Sequence, residues 1–308
     1  MAASPHRRRR RAVNGILLLD KPLGLSSNTA LQRAKRLFQA VKAGHTGSLD
    51  PLATGVLPIC FGEATKLSSY LLDADKTYVG RARLGVSTTT GDAEGTPLRH
   101  SDASAVNGAM LEAAIGALLG PQRQIPPMYS ALKHSGVPLY TLAREGLEVE
   151  RAPRDIVVHA LRLLAFENDE FEFELRCSKG TYVRTLAEDW AGRLGQAAHL
   201  VALRRTALGA LQIADTVDFA RLDAQADNPA ALDAYLLPPL AAVADWPRYV
   251  ASDDDLRWLS QGRVLAAGSG PAAGACAVVD AQGRLRGLAD VGADGRIAPR
   301  RWLLDAQA

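Results

Sequence analysis

A chain of 308 residues, 47% hydrophobic and 22% charged, has the balance of an ordinary globular protein with room for a large domain and a small one, which excludes a disordered or fibrous class. Cys60, Cys177 and Cys276 stand far apart with no metal-ligand spacing, so neither a disulfide framework nor zinc is expected, and a reducing compartment is. Net charge is only +3, yet residues 1–45 hold ten Lys and Arg against one acid, Asp20, an asymmetry that suits a polyanionic partner as well as a solvated basic tail.

Residues 1–12, with the run Arg7 to Arg11, read as a disordered basic tail. Ile16 to Leu19 reads as a short buried strand. It is too short for a signal-peptide core, and no later stretch reaches the length of a membrane span, so a cytoplasmic protein is expected. After the loop Asp20 to Ser27, a helix capped by Ser27 or Asn28 is expected to run to about Phe38, with Leu31, Ala34 and Phe38 on one face.

The stretch from Gly44 to Pro58 sets Asp50 directly before Pro51, with His45 five residues upstream. Proline disfavours α backbone at Asp50, and Gly44, Gly47 and Gly55 let the chain bend and a ligand approach closely. Two readings stand. Asp followed by Pro is the signature of a helix N-cap, and the same loop is a mount for a nucleophilic or acid–base carboxylate.

Thr77 to Leu84 alternates, with Tyr78, Gly80, Ala82 and Leu84 on one face and Arg81 and Arg83 on the other. Gly85 to Gly95 is a polar loop. Leu111 to Leu119 fits a helix stopped by Gly120 and Pro121. Residues 124–153, with Pro126, Pro127, a short helix from Leu139 to Glu145 and several basic side chains, look like an exposed insertion. Ile156 to Leu164 and Phe171 to Cys177 read as strands, the second with Phe171, Phe173, Leu175 and Cys177 facing in. Ser178 to Thr181 turns into a helix on which Val183, Leu186, Trp190 and Leu194 recur at helical spacing.

Composition shifts near Trp246 and Pro247, and residues 249–308 read as a small β module in which seven Arg balance seven Asp. Hairpin-like strands interspersed with helices indicate an α+β domain with a mixed, largely antiparallel sheet flanked by helices and loops, plus that small C-terminal β-rich module.

No phosphate loop, dinucleotide fingerprint, zinc-protease helix or nucleophile elbow is present, and the six histidines are scattered, so no metal or organic cofactor is expected. Side chains must carry the chemistry. Tyr78 reads either as core or as a stacking platform for a base. Arg184, at a helix start where the macrodipole disfavours a cation, calls for a carboxylate partner elsewhere, the alternative being a plain surface arginine. His45 is a loop hydrogen-bonder or an RNA contact.

Gly44 to Pro58, together with Leu19-Asp20-Lys21-Pro22-Leu23-Gly24-Leu25-Ser26-Ser27-Asn28, Asp75-Lys76-Thr77-Tyr78, Pro127-Met128-Tyr129-Ser130-Ala131-Leu132-Lys133, Ser178-Lys179-Gly180-Thr181-Tyr182-Val183-Arg184 and Ala198-His199-Leu200-Val201-Ala202-Leu203-Arg204-Arg205, closely resembles the TruB family of bacterial tRNA pseudouridine-55 synthases. The motifs keep their order over roughly residues 14 to 304.

The resemblance implies a pseudouridine-synthase-type catalytic domain over 13–248, carrying an RNA-binding insertion at about 124–153, and a PUA-like RNA-binding module over 249–308. It implies Asp50 as the catalytic aspartate, Tyr78 stacking on a flipped uracil, and Arg184 paired with Asp50. Tyr182 and Leu203 would line the uracil pocket, His45 would contact the flipped nucleotide, Lys21 and Pro22 would support the active-site loop, and Lys133 and Arg144 would meet phosphates. An arginine beside Asp50 would favour the ionised carboxylate. The implied partner is the T stem-loop of tRNA, with no membrane, guide RNA or obligatory protein partner. The implied reaction is redox-neutral and needs no cofactor. A protein that remodels tRNA, with catalysis secondary, is the competing reading. Thr89 departs from the family, which often has an acid there, while Asp92 is retained; altered loop contacts are expected.

Overall fold

The computed structural model describes residues 10–303 except 267 and 269. The tail expected over 1–12 therefore lies outside the described residues up to residue 9. Arg11, by contrast, is held in place, donating to Phe38 O at 2.9 Å and to both carboxylate oxygens of Asp233. No helix among the described residues is long and apolar enough to cross a membrane.

The central sheet runs in the order Leu236–Leu237, Gly15–Lys21, Ala53–Phe61, Ala198–Leu208, Lys76–Leu84, Glu170–Cys177, Arg154–Glu167, Gly120–Gln124. Along this path every join is antiparallel except the one between Ala198–Leu208 and Ala53–Phe61, so the sheet is mixed and largely antiparallel, as expected. That parallel join sets Arg205 opposite Gly55, and the next antiparallel join sets Arg205 opposite Tyr78.

The strand from Lys76 to Leu84 owes its place to its alternation. Tyr78, Ala82 and Leu84 go into the core, while Arg81 and Arg83 face water and pair with Glu170. Gly80 has no side chain because the Phe173 ring fills the space, and a Cβ would come within 2.5 Å of it. Over this face lies the helix Val183–Gly192, whose fully buried Trp190 meets Phe171 and Phe173 edge-on with centroids 5.1 and 5.7 Å away. At the other end of the sheet, Leu17 and Leu19 pack under the helix Ser27–Leu37, and Ile16 and Leu18 face a separate cluster on the reverse side.

Local differences from the sequence reading have local causes. The cap of the first helix is Ser26, whose hydroxyl accepts from Thr29 N, because Ser27 turns inward to bind the main chain of Leu49. The helix expected from Leu111 begins at Gly108 behind an Asn107 cap, and a 3-10 turn ends it at Leu118. The exposed insertion carries the short hairpin Lys133–His134 and Val137–Pro138 and the helix Leu139–Arg144, but its first residue, Gln124, is buried in the sheet.

The C-terminal sheet, in the order Arg248–Val250, Gly274–Val279, Leu285–Val291, Ile297–Trp302, confirms a β-rich region there. It shares a buried cluster with the main domain, in which Leu67 and Val243 meet Ala277, Leu288 and Leu303. Lys66 adds a hydrogen bond to Trp302 O at 3.1 Å.

Gly55 sits at the tightest point of the central sheet. Its φ is +100°, and a Cβ there would fall 2.2 Å from the carbonyl oxygen of Arg205. Replacing it forces the parallel join apart, so Gly55→Ala is expected to cost about 3 kcal/mol or more in urea unfolding.

Candidate active site

Asp50 does not cap a helix. The chain from Asp50 makes one turn, closed by Ala53 N donating to Asp50 O at 3.0 Å, and enters the strand Ala53–Phe61 directly. Proline here serves the turn rather than a first helical residue. The loop is pinned from behind by the distant stretch 24–27. The Ser27 hydroxyl donates to Leu49 O at 3.0 Å and accepts from Leu49 N at 2.7 Å, and Gly24 N donates to Pro51 O at 2.8 Å. Lys21 is fully buried beneath this loop and donates to Pro22 O and Leu25 O at 2.9 and 2.6 Å. Burial draws its pKa down to about 8, against the pull of Asp50.

Arg184, the second residue of its helix, lies 3.0 Å from Asp50 through Nη2. Its Nε is 3.7 Å from Asp92, and its remaining donors reach Thr90 O at 2.5 Å and Tyr129 O at 2.8 Å. The guanidinium is thus matched on every side while its own side chain is only 6% exposed. Asp50, with 45% of its side chain open, is the more accessible member of the pair.

Its recessed position pushes the Asp50 pKa upward. Arg184 and Lys21 oppose that rise, and Asp92 adds to it. The pairing with arginine favours the ionised form as expected, but burial outweighs it, so the net shift is opposite to the one an isolated Asp–Arg pair would give.

Asp50 and Arg184 border a cavity of about 370 Å³ that Tyr78, Tyr182, Leu203, Lys76 and Arg205 also line. The volume is that of a small-molecule site. Tyr78 is buried, which raises its pKa, and its hydroxyl meets the Arg205 guanidinium. Tyr182 is fixed by a reciprocal main-chain pair with Gln124, at 2.8 Å to Oε1 and 3.1 Å from Nε2. The expected residues Asp50, Tyr78, Arg184, Tyr182 and Leu203 therefore converge.

Three expected residues lie elsewhere. Lys21 is under the loop, not in the lining. His45 ends the short strand Ala43–His45, with Nδ1 buried and without a hydrogen-bond partner, and burial followed by Arg205 keeps its pKa low. Lys133 is exposed on the insertion hairpin, and Ser130, Ala131 and Leu132 reach the cavity in its place.

The sequence alone assigns no role to Arg205, Lys76, Gln124 or Glu188, and it assigns Ser27 only as a helix cap, not as the brace of the acid loop that it is. For Arg205 the signal was present: of two adjacent arginines in a strand, one must point inward. Thr89, where an acid was expected, closes the loop over 89–96 by exchanging bonds with Thr96, while Asp92 is buried and accepts from Thr90 at 2.5 Å.

Residues 35–183 match the family described as TruB family pseudouridylate synthase (N terminal domain), and residues 184–244 match the tRNA pseudouridylate synthase B C-terminal domain. The tRNA pseudouridine synthase B of Nitrosococcus oceani is 48% identical over 292 residues, covering 94% of this chain and 95% of that protein. The protein of the same name from Pseudomonas fluorescens is 50% identical over 300 residues, covering 96% and 98%. Among solved structures, a chain of a Cbf5-Nop10-Gar1 complex superposes with a TM-score of 0.73 at 23% identity, covering 94% of this chain and 84% of that one, which is a likeness of fold.

Glu188 lies one helical turn beyond Arg184 and packs against Gly91, where a Cβ would meet its Oε1 at 3.2 Å. Burial, then Asp189, raises its pKa from 4.5 to about 7. A carboxyl whose folded pKa is raised binds a proton more tightly folded than unfolded, so its stabilising contribution is present below pH 4.5 and lost as pH rises through about 7. Glu188→Gln removes that loss. Its stability relative to the unsubstituted chain, from urea melts, should improve by about 1 kcal/mol between about pH 5 and about pH 8 after allowance for solvent screening.

Proposed function

The chain belongs to the TruB family of pseudouridylate synthases, an enzyme family that isomerises uridine to pseudouridine in tRNA, and from that premise we propose that it acts on the T-loop uridine at position 55 with Asp50 as the catalytic carboxylate. The observation that carries this reading is the 3.0 Å Asp50–Arg184 pair at the mouth of a cavity lined by Tyr78.

A uridine in a folded loop must leave its stack before the sugar–base bond can be reached, at a cost of a few kcal/mol. The Tyr78 ring offers a stacking surface that offsets part of this cost, with Tyr182 and Leu203 as the walls of the base pocket. Arg184 holds Asp50 in one orientation and favours the charged carboxylate that a nucleophile requires. The C1′–N1 bond breaks, the base turns, and a bond forms between C5 and C1′. The proton on C5 is lost and N1 gains one, so the product has the atoms of the substrate and no redox partner or cofactor enters.

In this reading Lys21 and Pro22 support the loop from below, and His45, at the end of the strand before the loop, contacts the extruded nucleotide. The insertion with Lys133 and Arg144 meets phosphates, as does the basic N-terminal half, whereas the charge-balanced C-terminal module adds little electrostatic affinity. A tRNA substrate is consistent with a cytoplasmic enzyme, which on this reading acts without a guide RNA or protein partner.

A T stem-loop RNA incubated with the protein should accumulate pseudouridine, read by nucleoside analysis. Asp50→Asn should slow formation by on the order of a thousandfold or more while retaining RNA affinity in filter binding. Equal product from both proteins would remove Asp50 from the mechanism. Full tRNA-folding rescue by Asp50→Asn would favour the remodelling role over catalysis.

A further inference from the structure

Besides Asp50 and Arg184, the cavity is lined by two more cations, Lys76 and Arg205, both buried. Among the described residues neither lies within ion-pair distance of a carboxylate. Lys76 Nζ donates to Leu72 O at 2.6 Å and Ala74 O at 2.5 Å, while Arg205 donates to Val56 O at 2.7 Å and Gly47 O at 2.9 Å. These carbonyls fix both head groups without neutralising them. Counting the ionised side chains that border the cavity, Lys76, Arg184 and Arg205 face one acid, Asp50. A buried cation without a counter-charge is costly, and an enclosed site that holds two of them is suited to negative charge that arrives with the ligand or develops on it.

We propose that Lys76 and Arg205 stabilise the negative charge that builds on the base itself when its bond to the sugar breaks. This rests on the reading of the cavity as a uridine site. When the C1′–N1 bond breaks, its electron pair leaves with the ring, and the detached base is a uracil anion with charge shared among N1, O2 and O4. If the first attack falls on C6 instead, the pair displaced from the C5–C6 double bond is delocalised onto O4. Negative charge therefore develops on the base by either route and is discharged when C5 has bonded to C1′, C5 has lost its proton and N1 has gained one. Cations already fixed by carbonyls need no reorganisation to meet that charge, and they hold the anion in the cavity while it turns. Burial, then Arg205, holds the Lys76 pKa at about 8, so an anion nearby would favour its ammonium form.

Phosphate binding is the rival use of two such cations, and it has a different kinetic signature. Single-turnover rates and RNA dissociation constants should be measured on T stem-loops carrying uridine or 5-fluorouridine at the target position, following loss of the starting nucleoside. Lys76→Met should slow the uridine reaction about 100-fold with little change in affinity, and Lys76→Arg should restore most of the rate. Fluorine withdraws electrons and stabilises the departing base without help from the protein, so the loss with 5-fluorouridine should be distinctly smaller. Weaker binding at an unchanged single-turnover rate, or the same loss on both RNAs, would overturn the proposal. Lys76→Gln provides a second neutral variant if Lys76→Met does not fold. Failure of the unsubstituted protein on the uridine RNA would instead overturn the assignment of the cavity to uridine.

Discussion

Arg205 is 1% exposed, and a guanidinium that deep in a protein keeps its place only if its donors find acceptors. It finds them in the main chain at Val56 and Gly47 and in the Tyr78 hydroxyl, three points on the two neighbouring strands and the acid loop. The register that makes this possible is the one parallel join of the central sheet, where Gly55 gives up its side chain so that the Arg205 backbone can approach. Sheet order, the Gly47 turn and the tyrosine position are thus mutually fixed. Shifting the Ala198–Leu208 strand by one residue would turn Arg205 to the opposite face and remove the acceptor-matched charge from beside Tyr78.

The acid loop itself has little structure of its own, and its shape comes from outside. Ser27 binds Leu49 on one side of Asp50 and Gly24 binds Pro51 on the other, so the residue between them is fixed by a helix start and a turn far away in the chain. Arg184 completes the arrangement from a third element. Its donors to Thr90 and Tyr129 orient the guanidinium before Asp50 is considered, so the Asp50 contact draws on a cation already positioned. Burial raises the Asp50 pKa while Arg184 and Lys21 lower it, opposing effects that an exposed surface ion pair does not experience.

Much of this was legible in the sequence where one physical rule acted alone. The alternation of Thr77 to Leu84 and of Phe171 to Cys177 specified strands and their buried faces, and the apolar spacing from Val183 specified the helix. The rule failed where two competed. Asp before Pro is equally good as a cap or as a turn, and only the strand that follows, buried on both faces and without alternation, decides between them. The Ala198–Leu208 strand is not legible in the sequence because two arginines interrupt its apolar run, one side chain reaching Asp20 and the other entering the core. The cap expected at Ser27 or Asn28 falls on Ser26, since the inward bond of Ser27 to Leu49 is a tertiary fact. The convergence of Asp50, Tyr78, Arg184, Tyr182 and Leu203 was reached through family resemblance; no local rule brings residues so far apart together.

The short helix Ser68–Asp73 stands between two neighbourhoods. On one side Tyr70 meets Trp246 edge-on at 5.1 Å and lies under Arg300 of the C-terminal module, and just before the helix Leu67 is buried in the cluster shared with that module. On the other side Leu72 borders the cavity, and its carbonyl carries the Lys76 ammonium. The module is therefore a buttress as well as an appendage. A chain shortened at Trp246 would uncover Leu67 and leave a wall of the cavity packed from one side only, so the boundary between the two units is a poor place to cut.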